Sequence, residues 1–203
     1  MPARSDTIFA LATPPGRSAI AVIRISGPTS HAAAQTFGAE VPSAGQFRVA
    51  LLLDPGGQPL DEVLLLAMSG PLSSTGEDVL EIHCHGSTAV VAAILDMLAK
   101  CDGFRLAEAG EFTHRMFDHD KIDLLGVEGL ADLIDADTDL QRRQAWQQMS
   151  GALREPATNW RASLIELAAH LETLIDFSDE DLPDNIAAGL QARAATLRGA
   201  MRA

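Results

Sequence analysis

Arg24 and Glu81 are charged side chains that the sequence places on otherwise apolar strands. Arg24 shares a predicted strand face with Ile20 and Val22, so its guanidinium lies over an apolar surface and needs a carboxylate or a ligand as partner. An internal salt bridge would meet that need as well as a ligand would. The residue alone leaves both interpretations open.

Glu81 lies on a strand whose opposite face is apolar. A carboxylate in that setting accepts two parallel N–H hydrogen bonds from a flat amidine-like edge, such as that of a guanine or a pterin ring. The alternative is an exposed strand face without a role. Lys121 is one of only two lysines in a chain that otherwise uses arginine, which indicates a compact point charge with a specific task.

Three other chemistries are disfavoured by the pattern. The run His83-Cys84-His85 contains preferred zinc ligands, but strand alternation turns Cys84 away from both histidines, so we predict no metal site. No Gly-x-Ser-x-Gly elbow is present, and we predict no catalytic nucleophile. Neither lysine precedes Ser or Thr as a P-loop requires, so this chain alone should not bind or hydrolyse GTP.

The elements that must position these residues change type near residue 120. Compact β-branched and alternating runs at 19–25, 63–68 and 80–85 predict strands, with the second covered on both faces. Ser87 is a predicted N-cap for a helix with one buried stripe that ends at Gly103. Interleaved strands and helices predict an α+β domain over residues 1–120.

Residues 121–203 carry helical patterns only. Apolar positions recur with helical spacing after Asp123 and again after Pro156, which is typical of a helical bundle. An acidic loop is predicted at 178–184, followed by a last amphipathic segment. Its apolar stripe continues to Ala203 without a capping signal, so we expect further chain to follow.

Composition narrows the class of protein. The net charge of −13 disfavours stand-alone nucleic-acid binding, because such binding depends on Lys and Arg replacing counterions. Two cysteines and no secretory signature favour a reducing cytoplasm over a disulfide framework. The longest apolar run, 63–68, is far shorter than the ~20 residues that span a bilayer, so no membrane association is predicted.

Taken together and in order, several motifs resemble the amino-terminal region of the MnmE (TrmE) family of tRNA-modification GTPases. The resemblance extends from about residue 6 to 177 and rests on Asp6-Thr-Ile, Ala12-Thr-Pro-Pro-Gly-Arg, Arg24-Ile-Ser-Gly, Thr75-Gly-Glu-Asp-Val-Leu-Glu-Ile-His-Cys-His-Gly, Gly110-Glu-Phe-Thr, Asp120-Lys-Ile-Asp-Leu and Ala131-Asp-Leu-Ile-Asp.

The resemblance implies a fold for residues 1–120 similar to folate-dependent aminomethyltransferases, serving as a tetrahydrofolate-binding and dimerisation domain. Residues 121–203 would begin a helical domain into which a GTPase domain is inserted. By matching motifs, Arg24, Glu81 and Lys121 would contact the folate, as 5-formyltetrahydrofolate or 5,10-methylenetetrahydrofolate. GTP, magnesium and potassium would belong to the GTPase domain, which this chain lacks.

The same resemblance implies partners and a function. The family forms a homodimer and acts with a flavin-dependent partner of the MnmG type on the wobble uridine of certain tRNAs, the folate supplying one carbon. Two alternatives remain at this stage. One is a catalytically silent dimerisation module that positions the GTPase, and the other is a free-standing folate-dependent one-carbon transferase.

Overall fold

A six-stranded mixed sheet is the framework of the first part of the chain in the computed structural model. The structure describes residues 6–152, 154–176 and 185–202, without the side chains of 185–188. Two compact units are present, Met1–Asp123 and Leu124–Ala203. The α+β prediction is confirmed, with a sheet unit followed by a helical one.

The sheet has the order β3-β4-β5-β2-β1-β6, in which only the β1–β6 pair is parallel. The strands are β1 (Thr7–Leu11), β2 (Ser18–Ser26), β3 (Phe47–Leu53), β4 (Pro59–Met68), β5 (Val79–Gly86) and β6 (Phe104–Leu106). Strands β5 and β2 are therefore central, and side chains on them are flanked on both sides by neighbouring strands.

One face of the sheet carries the hydrophobic core, because apolar residues alternate along the central strands. On β5, Leu80, Ile82 and Cys84 are buried in that core while His83 and His85 lie on the other face, as the sequence predicts. On β4 the prediction of a strand covered on both faces is wrong. Residues Val63, Leu65 and Ala67 are buried, but Leu64 and Leu66 are only half-buried, so the second face of this strand is incompletely covered. We call this second face the open face.

Three helices accompany the sheet: α1 (Ala33–Thr36), α2 (Thr88–Leu98) and α3 (Glu111–Asp118). Helix α2 packs Ile94, Met97 and Leu98 into the core. Ser87 is its N-cap position, although its side chain makes no capping hydrogen bond. The helix ends at Leu98, before Gly103, because the chain turns at residues 99–103 to enter β6.

In the second unit, the described residues form α4 (Leu124–Ile134), α5 (Asp139–Met149), α6 (Arg154–Asp176) and α7 (Asn185–Ala200). Helices α4 and α5 approach closely at Gly129, where an added Cβ would lie 2.5 Å from the Met149 amide nitrogen. Glycine therefore permits this contact. Helix α5 begins with a capping box between Thr138 and Gln141.

Helices α6 and α7 pair, with Leu190 and Leu197 buried at 9% exposure. Two grooves run between the two helices, one of about 500 Å³ with a mixed polar and apolar lining and one of about 510 Å³ lined mainly by leucine and alanine. The acidic loop predicted at 178–184 lies outside the described residues. Within the described ranges, no helix is both long and apolar enough to cross a membrane.

Candidate functional site on the open sheet face

Arg24 and Glu81 form an ion pair at the centre of the open face. They are direct partners in the antiparallel register of β2 and β5. Arg24 Nε donates to Glu81 Oε1 at 2.8 Å, and Nη2 forms an ion-pair contact with the same oxygen at 2.7 Å. The arginine side chain is 31% exposed and the glutamate 11%, so the pair is open to solvent from the arginine side.

The second oxygen of the same carboxylate contacts a histidine. His83 Nε2 lies 3.1 Å from Glu81 Oε2. Arg24 Nε and Nη2 both lie within 2.8 Å of Oε1, and His83 Nε2 lies against Oε2. A ligand edge that is to donate to both oxygens therefore requires Arg24 to move away from Oε1.

An aromatic ring lies against the arginine. The Arg24 guanidinium carbon is 5.8 Å from the centre of the Phe112 ring, within the range of a cation–π interaction. Phe112 is in the first turn of α3. The helix thus places a flat apolar group beside the ion pair, which limits the orientations that Arg24 can adopt.

Lys121 lies three residues beyond the end of α3. Its amide donates to the Met116 carbonyl at 2.8 Å, which fixes the backbone at the turn. The side chain is exposed, and among the described residues the ammonium has no hydrogen-bond or ion-pair partner. The structure therefore brings together Arg24 and Glu81 but shows no contact of either with Lys121.

A second ionic cluster, centred on Arg115, is buried in the same unit. The Arg115 side chain is 1% exposed. Its Nη1 donates to both Glu77 oxygens, at 2.9 and 3.1 Å, and its Nη2 to Asp6 and Glu111 at 3.2 and 3.3 Å. Arg115 Nε is buried without a hydrogen-bond partner within the described structure.

Arg105 covers this cluster from the solvent side. It donates from Nε to Asp6 at 2.6 Å and from Nη1 to Glu111 Oε2 at 2.8 Å. The hydrogen bond from Arg105 lowers the pKa of Glu111 to about 2 against the opposing effect of burial. Burial raises the pKa of Asp6, but hydrogen bonding and charge from Arg105 outweigh it, and the pKa lies below its ordinary value. Both groups are therefore carboxylates at neutral pH.

The buried cluster joins segments that are distant in the sequence. Ser26 Oγ donates to Glu77 Oε2 at 2.7 Å and lies 2.7 Å from the Thr75 hydroxyl. No local sequence pattern distinguishes Glu77, Glu111 or Arg115 as members of a cluster. The only local signal was the i, i+4 spacing of Glu111 and Arg115 on one helix, because the other contacts depend on tertiary structure.

The side chains of His83, Cys84 and His85 do not converge on one point. Cys84 is 2% exposed in the core, and burial, together with the Asp61 charge, raises its pKa to about 11. His85 Nδ1 lies 2.7 Å from Asp61 Oδ1. Within the described residues, no three His, Cys, Asp or Glu side chains are placed to hold a metal ion.

Both units match models of known protein families. A family model described as GTP-binding protein TrmE N-terminus matches residues 7–121, and one described as MnmE helical domain matches residues 124–203. Proteins named tRNA modification GTPase MnmE are 50% identical in Roseobacter denitrificans, 48% in Phenylobacterium zucineum and 48% in Caulobacter vibrioides, over 181, 184 and 201 residues.

Those matches cover 89%, 91% and 97% of this chain but 42%, 41% and 45% of the relatives. The chain thus spans less than half the length of the curated relatives that it matches.

Proposed function

Because the chain belongs to the MnmE (TrmE) family of tRNA modification GTPases, we propose that its sheet unit binds a reduced folate. The folate, as 5-formyltetrahydrofolate or 5,10-methylenetetrahydrofolate, serves as the one-carbon source for modification of the wobble uridine of tRNA. The observation that carries this proposal is the Arg24–Glu81 pair, a half-open ion pair at the centre of the open face.

The chemistry of a pterin fits the unused capacity of this pair. A reduced pterin presents an N–H and an amino group side by side, and a carboxylate accepts both in parallel. Glu81 Oε2 retains an acceptor direction, and Oε1 regains one when Arg24 rotates. The freed guanidinium N–H groups then donate to the carbonyl oxygen of the ligand, with Phe112 against the guanidinium.

Lys121 has a different role in this proposal. Its ammonium is exposed and, in the described part of the chain, unpaired, and the glutamate tail of a folate carries carboxylates. We assign Lys121 to charge attraction for that tail, which a flexible and strongly hydrated ammonium can supply without a fixed geometry.

We further propose that residues 1–120 mediate a homodimer. Phe47, Val49 and Leu51 on the edge strand β3 are 69%, 62% and 51% exposed and lie side by side on the open face. A continuous apolar edge of this kind is characteristic of an interaction surface. Light scattering should give twice the chain mass, and a monomer mass at all concentrations would contradict the dimer.

The remaining steps are assigned to the whole protein. GTP hydrolysis, with magnesium and potassium, would occur in a GTPase domain, because this sequence holds no Gly-Lys-Ser or Gly-Lys-Thr. A flavin-dependent MnmG-type partner would complete the modification in the cytoplasm. The net charge of −13 supports tRNA binding by the complex rather than by this segment.

One observation favours a second function, a silent dimerisation module. Arg24 and Glu81 satisfy each other without a ligand, as a purely structural pair would. Calorimetric titration with 5-formyltetrahydrofolate separates the two. We expect saturable binding that Arg24→Ala weakens at least about tenfold, since charged hydrogen bonds contribute about 1.5–3 kcal/mol.

Arg48→Ala is the matched control, because Arg48 pairs with Glu40 at an exposed position on β3. It should bind as wild type does. A folded wild-type chain that takes up no folate would overturn the proposal and support the silent module.

A further inference from the structure

The Glu81 carboxylate is held from two directions. Arg24 Nε and Nη2 lie 2.8 and 2.7 Å from Oε1, and His83 Nε2 lies 3.1 Å from Oε2. His83 is two residues from Glu81 on β5, and the period of a strand places both side chains on the open face. The imidazole is 29% exposed, so it borders solvent on the same side as the ion pair.

The contact specifies how the histidine is protonated. An ionised carboxylate only accepts hydrogen bonds, so the contact requires a proton on His83 Nε2. In the neutral ring Nδ1 is then an acceptor. Within the described residues, Nδ1 makes no hydrogen bond to the protein.

The contact with His83 limits how freely the Glu81 carboxylate can rotate. The terminal torsion of a glutamate side chain is broad, and Arg24 alone would hold only Oε1. When Arg24 turns toward a ligand, the carboxylate would lose its only support without His83. The imidazole keeps Oε2 in place at that moment, so less conformational freedom is lost when the ligand binds.

We propose that His83 is a positioning residue of the folate site, which holds the Glu81 carboxylate through Nε2 so that it can accept the pterin edge. This inference rests on the folate binding proposed above. His83 acts through Glu81 and is distinct from the residues that the family resemblance identifies.

Calorimetric titration of 5-formyltetrahydrofolate into variants of the full chain tests the inference. His83→Leu removes the donor and should weaken binding about five- to tenfold, as expected for a partly exposed hydrogen bond to a charged group. His83→Gln supplies an amide N–H at a similar distance from the backbone and should restore affinity to within about twofold of wild type.

His85→Leu is the matched control. It removes an imidazole from the same strand face, two residues farther along, where the partner is Asp61. Its affinity should equal that of wild type. Thermal unfolding of every variant, followed by circular dichroism, confirms that the affinities compare folded proteins.

The outcomes separate this inference from the proposed function. A wild-type chain that does not bind overturns both. If wild type binds and folded His83→Leu binds equally well, only the positioning role is overturned. If His83→Gln binds as weakly as His83→Leu, the imidazole does not act as a donor to Glu81, and the inference is again wrong.

Discussion

The open-face pair of Arg24 and Glu81 and the buried cluster around Arg115 use the same two chemical groups in different settings. Arg115 is 1% exposed and is bound by three acidic residues, whereas Arg24 is 31% exposed and is bound by one. A buried guanidinium whose acceptors are all supplied by the protein stabilises one arrangement of the chain. A half-open pair with unused hydrogen-bonding capacity can exchange partners, which is what ligand binding requires.

Helix α3 contributes residues both to the buried cluster and to the surroundings of the open-face pair. Glu111 and Arg115 fasten it to the buried cluster, and Phe112 lies against Arg24 on the open face. The buried cluster therefore fixes the helix that shapes the candidate site. Substitutions in the buried cluster should mainly lower the free energy of unfolding, and substitutions in the open-face pair should mainly weaken ligand binding.

The largest expected effect is that of Arg115→Met. Removal of the guanidinium leaves the Glu77, Glu111 and Asp6 carboxylates together with less compensating charge. Breaking a buried pair in this way costs about 3–5 kcal/mol, so we expect a large loss in the free energy of unfolding or failure to fold. Urea unfolding measures it.

The control for that variant is Arg48→Met, at a half-exposed salt bridge with Glu40 on the same unit. It should change the free energy of unfolding by less than about 1 kcal/mol. Equal urea midpoints for Arg115→Met and wild type would contradict a stabilising role for the buried cluster.

A smaller effect is expected from acid acting on Glu111. Its pKa is about 2 in the folded protein and 4.5 ordinarily. A lowered pKa stabilises the fold fully above the ordinary value, and the contribution is lost as the pH falls from 4.5 toward 2. At about 1.36 kcal/mol per pKa unit, this difference corresponds to a contribution of about 3 kcal/mol.

Glu111→Gln is the variant that isolates this contribution. At pH 7 it should be less stable than wild type, and the gap between the two unfolding free energies should narrow below pH 4.5. Asp6, whose pKa also lies below its ordinary value, is present in both proteins. A gap that stays constant down to pH 3 would contradict the assignment of Glu111 to the cluster.

The smallest effect belongs to Lys121. Because its ammonium is exposed, Lys121→Ala should weaken folate binding only about two- to fivefold, as expected for an exposed charge interaction. Lys121→Arg keeps the charge and should bind within about twofold of wild type. If the arginine variant binds as weakly as the alanine variant, geometry rather than charge defines the role of Lys121.

Local patterns predicted strands β2, β4 and β5 and the two faces of β5, because side-chain alternation is a property of consecutive residues, but they did not predict β1, β3 or β6. The alternation of β5 placed Cys84 in the core and His83 on the other face, as observed. The position of Glu81 opposite Arg24 was not predicted from pattern, because strand register depends on residues 57 positions apart.

Other features were missed because they too depend on how distant segments pack together. The β4 prediction failed because an apolar run does not show how well each face of a strand is covered. Leu64 and Leu66 are only half-buried. On α4, where the sequence predicts an amphipathic helix after Asp123, the apolar Ile134 is 77% exposed, whereas Gly126 and Gly129 are buried. Hydrophobicity alone does not distinguish a glycine that permits close helix packing from one in a loop.

The affinity of Glu81→Gln for 5-formyltetrahydrofolate tests the central claim most directly. The amide has the shape of the carboxylate but lacks its charge and one acceptor. We expect calorimetry to show binding at least about tenfold weaker than wild type, equivalent to about 1.4 kcal/mol, with the unfolding free energy within about 1 kcal/mol. Glu40→Gln, at an exposed glutamate, should bind as wild type does. A folded Glu81→Gln chain that binds as tightly as wild type would contradict the account.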